Sequence, residues 1–309
     1  MRKLRVVIAG KGVQGEKRRQ ICGEDFVCFV DPNKNDAIYN SLNQVPLESY
    51  NAVLICVPDK EKPDLVKYCV MNGKHLIVEK PFFFRDKDEI KELKTSIKSK
   101  GVVCYTAYNH RFEPHIMAMR DLIKSKKLGE IYNCRMFYGN GTARLVRESS
   151  WRDKGPGVLP DLGSHLLDTC KFWFGELGKK DAWRVYSKNA FENHSTDHIV
   201  VGGRVNNISV QLEMTLLMWR NHFSCDILAE KGSAHIRSLC KWGPSKFIYR
   251  ERVLPSGLPL ERQVTLEKPD PTWQEEYKYF KKLIQNNHVS DLRTDYEIFE
   301  ILSKLDAKS

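Results

Sequence analysis

Short apolar runs separated by charged, glycine-rich and proline-rich stretches set the rhythm of the first third of the chain. The runs at 4–9, 26–30, 51–57, 74–78 and 102–106 are rich in Val, Ile, Leu and Cys and are bounded by turn residues, as buried strands are. Between them, 16–21, 62–72 and 87–100 carry the polar and charged mixture of surface helices. Strand and helix in alternation predict a doubly wound parallel sheet. Past residue 130 the rhythm changes. Strand-like segments at 130–138, 183–187, 198–205, 208–217, 223–229, 233–237, 247–253 and 263–266, separated in places by turn pairs such as Asn206-Asn207 and Lys231-Gly232, predict an antiparallel meander. An apolar helix is expected to run through Trp173, and Thr272–Gln285 and 295–305 read as closing helices.

Composition narrows the class. With 309 residues, 41% hydrophobic and 29% charged, the chain suits two globular domains and excludes a disordered one. The net charge of +11 is spread along the chain, with short clusters only at 91–100 and 124–127 that read as solvated helix faces. No nucleic-acid motif accompanies it, so the anionic partner expected is a small substrate or cofactor. Nine cysteines without a Cys-x-x-Cys, several inside apolar runs (Cys28, Cys56, Cys104, Cys225), fit a reducing compartment. The first apolar run is shorter than a signal-peptide core and no stretch is long enough to span a membrane, so a cytoplasmic protein without a membrane partner is expected.

The chemistry-bearing residues fall where strands end, the usual ligand crevice of a parallel sheet. Gly10-Lys11-Gly12-Val13-Gln14-Gly15 joins the first strand to its helix, the context in which G-x-G-x-x-G binds a dinucleotide. Gly10 permits the tight turn, Gly12 lets the backbone approach a pyrophosphate, and Gly15 lets helix and strand pack closely. Asp31 lies about twenty residues further on, where an acid accepts hydrogen bonds from the adenosine ribose and repels a 2′-phosphate. NAD is therefore expected over NADP, although Asp31-Pro32-Asn33 is also a good turn and Lys34 offers some compensation to a phosphate.

Pro58, Lys80 and the segment from Tyr108 to Arg111 likewise follow strand ends. In Val78-Glu79-Lys80-Pro81, the proline keeps Lys80 extended. A lysine there is either a hydrogen-bond donor or base, or simply a surface side chain in a strand-to-helix loop. Asp161 and His165 are four apart, a spacing that on a helix puts both on one face, where the acid can orient the imidazole; such a pair can also be structural. His194, Asp197 and His198 lie in a loop-and-strand sequence rather than on a helix, and no metal site is expected. Lys241-Trp242-Gly243-Pro244-Ser245 forms an unusual loop with no assigned role.

The glycine motif, Glu79-Lys80-Pro81, Tyr108-Asn109-His110-Arg111-Phe112, and Trp151-Arg152 followed by the stretch from Gly155 to His165 resemble, in order and spacing, the Gfo/Idh/MocA oxidoreductases. The likeness covers most of the first half and the junction; the later sheet fits only in pattern. It implies a nicotinamide-binding Rossmann domain at 1–107 and, at 108–309, a substrate-binding and oligomerisation α+β domain with an open, mostly antiparallel sheet, the closing helices able to pack back on the first domain. It implies cofactor contacts from Gly10, Gly12, Val13, Gln14, Gly15, Asp31, Pro58, Glu79 and Lys80. Catalytic roles are implied for Lys80, Asp161 and His165, and substrate contacts for Tyr108, Arg111, Trp151, Arg152 and Asp161. The chain departs from the family pattern at Lys62, where many members carry histidine, and at Pro156 and Pro160.

The activity so implied is hydride transfer between NAD and a secondary hydroxyl or ketone of a sugar, polyol or nucleotide sugar. His165 would be the acid/base and Lys80 the donor that polarises the oxygen, in a homodimer or homotetramer formed through the open sheet. Two other classes use the same motifs: a non-catalytic NAD-binding regulator, against which Lys80, Asp161 and His165 argue, and an NAD-assisted, redox-neutral glycosidase.

Overall fold

A computed structural model of the protein describes residues 3–34, 36–149 and 152–307. The chain divides into two compact units, one comprising the residues up to Tyr108 with Trp273–Phe299, the other Asn109–Thr272 with the residues from Glu300 onward.

In the first unit, β1 (Val6–Ala9), β2 (Phe26–Val30), β3 (Ala52–Ile55), β4 (His75–Val78) and β5 (Cys104–Thr106) form a parallel sheet in the order β2-β1-β3-β4-β5. Helices α1 (Val13–Cys22), α2 (Lys62–Met71) and α3 (Lys87–Lys100) make three of the crossovers. Alternate side chains of the strands enter two cores. Val6, Ile8, Ala52 and Leu54 join Cys22 of α1 and Tyr277 and Phe280 of the closing helix α7 (Thr272–Gln285). Val7, Ala9, Val53 and Ile55 join Val66 and Val70 of α2 and Leu93 and Ile97 of α3. Burial on both faces is why these strands read as continuous apolar runs, each full aliphatic burial contributing about 1.5–3 kcal/mol. The strand ends are level: Ala9 pairs with both Val30 and Ile55, Ile55 with Val78, and Val78 with Thr106. Since β2 lies on one side of β1 and β3 on the other, the crevice of this sheet opens beside Gly10.

In the second unit, β6 (Ile131–Gly139), β7 (Arg184–Asn189), β8 (His198–Val205), β9 (Ile208–Thr215), β10 (His222–Ala229), β11 (Gly232–Arg237), β12 (Ser245–Val253) and β13 (Gly257–Leu266) form one sheet. Its order, β13-β12-β11-β10-β6-β9-β8-β7, contains two meanders, β7 to β9 and β10 to β13. The simple meander expected from sequence is interrupted by β6, which lies antiparallel to β10 and parallel to β9. Burial accounts for its central place, because Cys134, Met136 and Tyr138 of β6 are all core residues. Helices α4 (Pro114–Lys124), α5 (Ala143–Arg147) and α6 (Ser164–Phe174) complete the unit, with α8 (Arg293–Asp306) divided between the two units after Phe299. Trp173 of α6 donates its indole N–H to the Ile116 carbonyl of α4 at 2.9 Å. The strand expected at 263–266 begins already at Gly257, in a stretch exposed almost throughout, where burial imposes no alternation. Among the described residues, no helix is long and apolar enough to cross a membrane.

Candidate active site

The glycine turn of the first unit has the shape a dinucleotide requires. Gly10 has φ +98°, and a Cβ there would lie 2.4 Å from the Cys56 carbonyl oxygen; one on Gly15 would lie 2.0 Å from the Gly10 carbonyl oxygen. A Cβ on Gly12 would meet nothing within 4 Å. The first and third glycines are thus demanded by the protein's own packing, whereas the second faces an open cradle. Gly12 precedes α1 with no side chain capping the helix, and Val13 and Gln14 are exposed at its first turn, so backbone N–H groups are presented to an anion. Asp31, one residue past β2, accepts from the Lys11 N–H at 2.8 Å and from the Asn33 N–H at 2.9 Å. It is both the turn residue and the brace of the glycine loop, and its oxygens have lone pairs left for ribose hydroxyls. The Lys11 ammonium pairs with Asp36. These residues fit a nicotinamide dinucleotide.

Around Glu79-Lys80-Pro81 the structure adds groups that sequence reasoning missed. Glu79, expected at the cofactor, gives its carboxylate to Arg18 of α1 at 2.7 Å, and Arg18 also pairs with Glu276 of α7 at 2.7 Å. The guanidinium lies 4.4 Å from the Trp273 ring centroid. Burial pushes the Glu276 carboxyl up to about 7, against the pull of Arg18. Pro58 leads into a 3-10 turn at Asp59–Glu61, and Lys62 follows, buried, its ammonium donating to Asp59 Oδ1 at 2.6 Å, the Glu79 carbonyl at 2.6 Å and the Pro81 carbonyl at 2.9 Å. The Lys80–Pro81 peptide is cis. Tyr108 closes the unit after β5 and is buried.

In the second unit, His165 stacks on His110 with ring centroids 4.0 Å apart and planes 15° from parallel. An ion pair ties the two segments together, one residue after His110 and three after His165: Arg111, expected at the substrate, donates from Nε to Asp168 Oδ2 at 2.8 Å and from Nη2 to Oδ1, joining the Asn109–Phe112 turn to α6. Burial pushes the Asp168 carboxyl up while the guanidinium pulls it down. Asp161 does not lie on a regular α-helix with His165. It sits in a π-helical turn, Leu159–Gly163, that runs into α6. Its carboxylate is 3.6 Å from Arg152, both side chains about a third exposed at 35%. Trp151 lies outside the described residues.

Tyr138 at the end of β6 stands 6.1 Å from His165 by ring centroids. Its hydroxyl is pushed well above its ordinary value, first by burial and then by the Asp161 carboxylate, so it stays a donor. The unassigned loop belongs here too: Lys241 Nζ is 3.1 Å from His110 Nε2, and the Trp242 ring centroid is 5.6 Å from that of Tyr138. The His194 region is a brace. Asp197 accepts the N–H groups of Phe191, Glu192 and Asn193, and Asp153, next to Arg152, accepts from the N–H and hydroxyl of Ser195 and bonds His194. His198 lies 3.9 Å from Glu213.

Residues 4–108 match the family model described as "Oxidoreductase family, NAD-binding Rossmann fold", and residues 116–235 the one described as "GFO/IDH/MocA C-terminal domain". An uncharacterised oxidoreductase of Schizosaccharomyces pombe is 31% identical over 145 residues, 46% of this chain and 38% of that protein. The scyllo-inositol 2-dehydrogenase (NADP(+)) IolW of Bacillus subtilis is 28% identical over 126 residues, 40% of this chain and 34% of its own length. These matches take in well under half the length of either relative. Levoglucosan dehydrogenase solved with NADH shares the fold, with a TM-score of 0.80, 18% identity and 97% of each chain covered.

Proposed function

Because the chain belongs to the Gfo/Idh/MocA oxidoreductase family, we propose that it transfers hydride between NAD and a secondary hydroxyl or ketone of a sugar, polyol or nucleotide sugar. The observation that most supports this is the level edge of the parallel sheet, from which Gly10, Asp31 and the Glu79-Lys80 pair all emerge just beyond strand residues in register. Relatives named scyllo-inositol 2-dehydrogenase and levoglucosan dehydrogenase support a polyol or sugar substrate.

Nicotinamide, when bound, supplies or accepts the hydride. The chain's part is to move the hydroxyl proton and hold the developing charge on oxygen. His165 takes that proton. Its neighbour His110 stacks on it and has Lys241 Nζ 3.1 Å from its Nε2. Lys80 donates to the reacting oxygen, and Asp161, beside Arg152 and Tyr138, holds a neighbouring hydroxyl. Asp31 selects NAD through the ribose hydroxyls. Self-association through the open sheet as a homodimer or homotetramer, and a cytoplasmic location, belong to the same proposal.

The test is reduced-nicotinamide fluorescence of the purified protein with NAD and then NADP across free, phosphorylated and nucleotide-linked sugars and polyols. Turnover with one substrate, preferring NAD and abolished in Lys80→Ala, is the expected result. NAD binding with no turnover across the whole panel would sink the dehydrogenase reading and leave a regulator or a redox-neutral hydrolase.

A further inference from the structure

We propose that Lys62 is the positioning residue for Lys80, its ammonium holding the carbonyls of the two residues that flank Lys80 in the chain. The inference rests on the reading of Lys80 as the donor to the reacting oxygen. An ammonium has three N–H donors, and here each has an acceptor: Asp59 Oδ1 at 2.6 Å, the Glu79 carbonyl at 2.6 Å and the Pro81 carbonyl at 2.9 Å. Only the charged amine supplies all three.

Helix position and burial both disfavour a lysine at this position. Lys62 is the first residue of α2, where the positive end of the helix dipole disfavours a cation, and its side chain is only 2% exposed, where desolvation disfavours it again. Burial lowers its pKa accordingly, and the nearby Lys80 charge adds to that. One local and two tertiary partners offset both penalties. Asp59 balances the charge from the turn before α2, while the two carbonyls lie beyond the end of β4, seventeen and nineteen residues away in sequence. The brace therefore joins the crossover after β3 to the crossover after β4. With Glu79 also tied to Arg18 and its N–H bonded to the Ile55 carbonyl at 3.0 Å, the peptides on both sides of Lys80 are fixed. The side chain of Lys80 then leaves the strand in one direction.

Hydrogen exchange read by mass spectrometry over 76–86, with and without NAD, tests this without needing a substrate. In Lys62→Met, exchange in that segment should rise by about tenfold or more while peptides from β1 and α1 stay as in wild type. With the preferred substrate, kcat should fall about tenfold or more and KM for NAD should change less than about threefold, since the oxygen donor is misplaced and the glycine turn is not. Lys62→Gln, which restores N–H donors without the charge, should recover part of the protection and part of kcat; if Lys62→Met does not fold, this variant against wild type carries the comparison. Unchanged exchange in the segment, or raised exchange with kcat intact, overturns the proposal. Raised exchange in a protein that turns over no sugar, in which wild type and Lys80→Ala behave alike, keeps the brace and overturns the dehydrogenase reading instead.

Discussion

Asp31 accepts bonds from Lys11 and Asn33 that shape the glycine turn, and under the proposed function its remaining lone pairs take the ribose hydroxyls. Removing it should cost a charge-assisted hydrogen bond worth about 1.5–3 kcal/mol. Asp31→Ala is therefore expected to weaken NAD binding by about tenfold to hundredfold. NADP binding should be unchanged or tighter, because the repulsion of a 2′-phosphate is lost as well. Titration of each nucleotide by protein fluorescence decides it; an equal loss for both would show that Asp31 serves only the turn.

Between elements, the decisive contact is Arg111 with Asp168. Asp168 is fully buried on α6, three residues beyond His165, and Arg111 follows His110 directly, so the ion pair sets the distance between the two imidazoles. Losing one partner leaves a buried charge without compensation, which costs about 3–5 kcal/mol, far more than a surface pair. Arg111→Met should lower stability by about that amount in urea unfolding, and Arg111→Met with Asp168→Asn should recover much of it. A single-variant loss below about 1 kcal/mol would mean that water reaches Asp168 and that the stack is held by other means.

At the scale of the whole molecule, the chain returns from its end to complete its beginning. Glu276 bonds Arg18 across 258 residues of sequence, and Tyr277 and Phe280 of the same helix fill the core face that α1 leaves open. Glu276 carries a pH signature. Its carboxyl, ordinarily near 4.5, is pushed up to about 7 by burial, so the folded protein holds its proton more tightly than the unfolded chain. The stability it contributes is present below about pH 4.5 and is lost as pH rises through about 7. In Glu276→Gln that dependence disappears. Whatever the offset from the lost ion pair, the variant should gain on wild type as pH rises from 5 to 8, by at most about 1.4 kcal/mol per pH unit. Urea unfolding at four pH values in that range checks the slope; parallel profiles would mean that Glu276 stays ionised throughout.

What the sequence by itself determined is what depends on neighbours in the chain. Burial on both faces makes continuous apolar runs, so β1 to β5 were legible, and local backbone demands at Gly10 and Gly15 leave a spacing that can be read without coordinates. β13, exposed almost throughout and without alternation, was legible only in its last four residues, whereas the other strands of the second sheet were visible as well, because alternation is also local. The order of that sheet was not: β6 reaches the centre through pairings with residues 76 to 98 positions away, which no local pattern encodes. The same physics separates the site residues. Asp161 and His165 declare themselves by proximity in sequence, but spacing alone does not say that Asp161 sits in a π-helical turn rather than in α6. Tyr138 looks like an ordinary core residue, Lys62 stands out only as a departure from the family pattern and Lys241 only as part of an unusual loop, until tertiary structure brings their partners to them. A polar side chain takes its role from what it bonds, and for these three the partners are supplied by other elements of the fold.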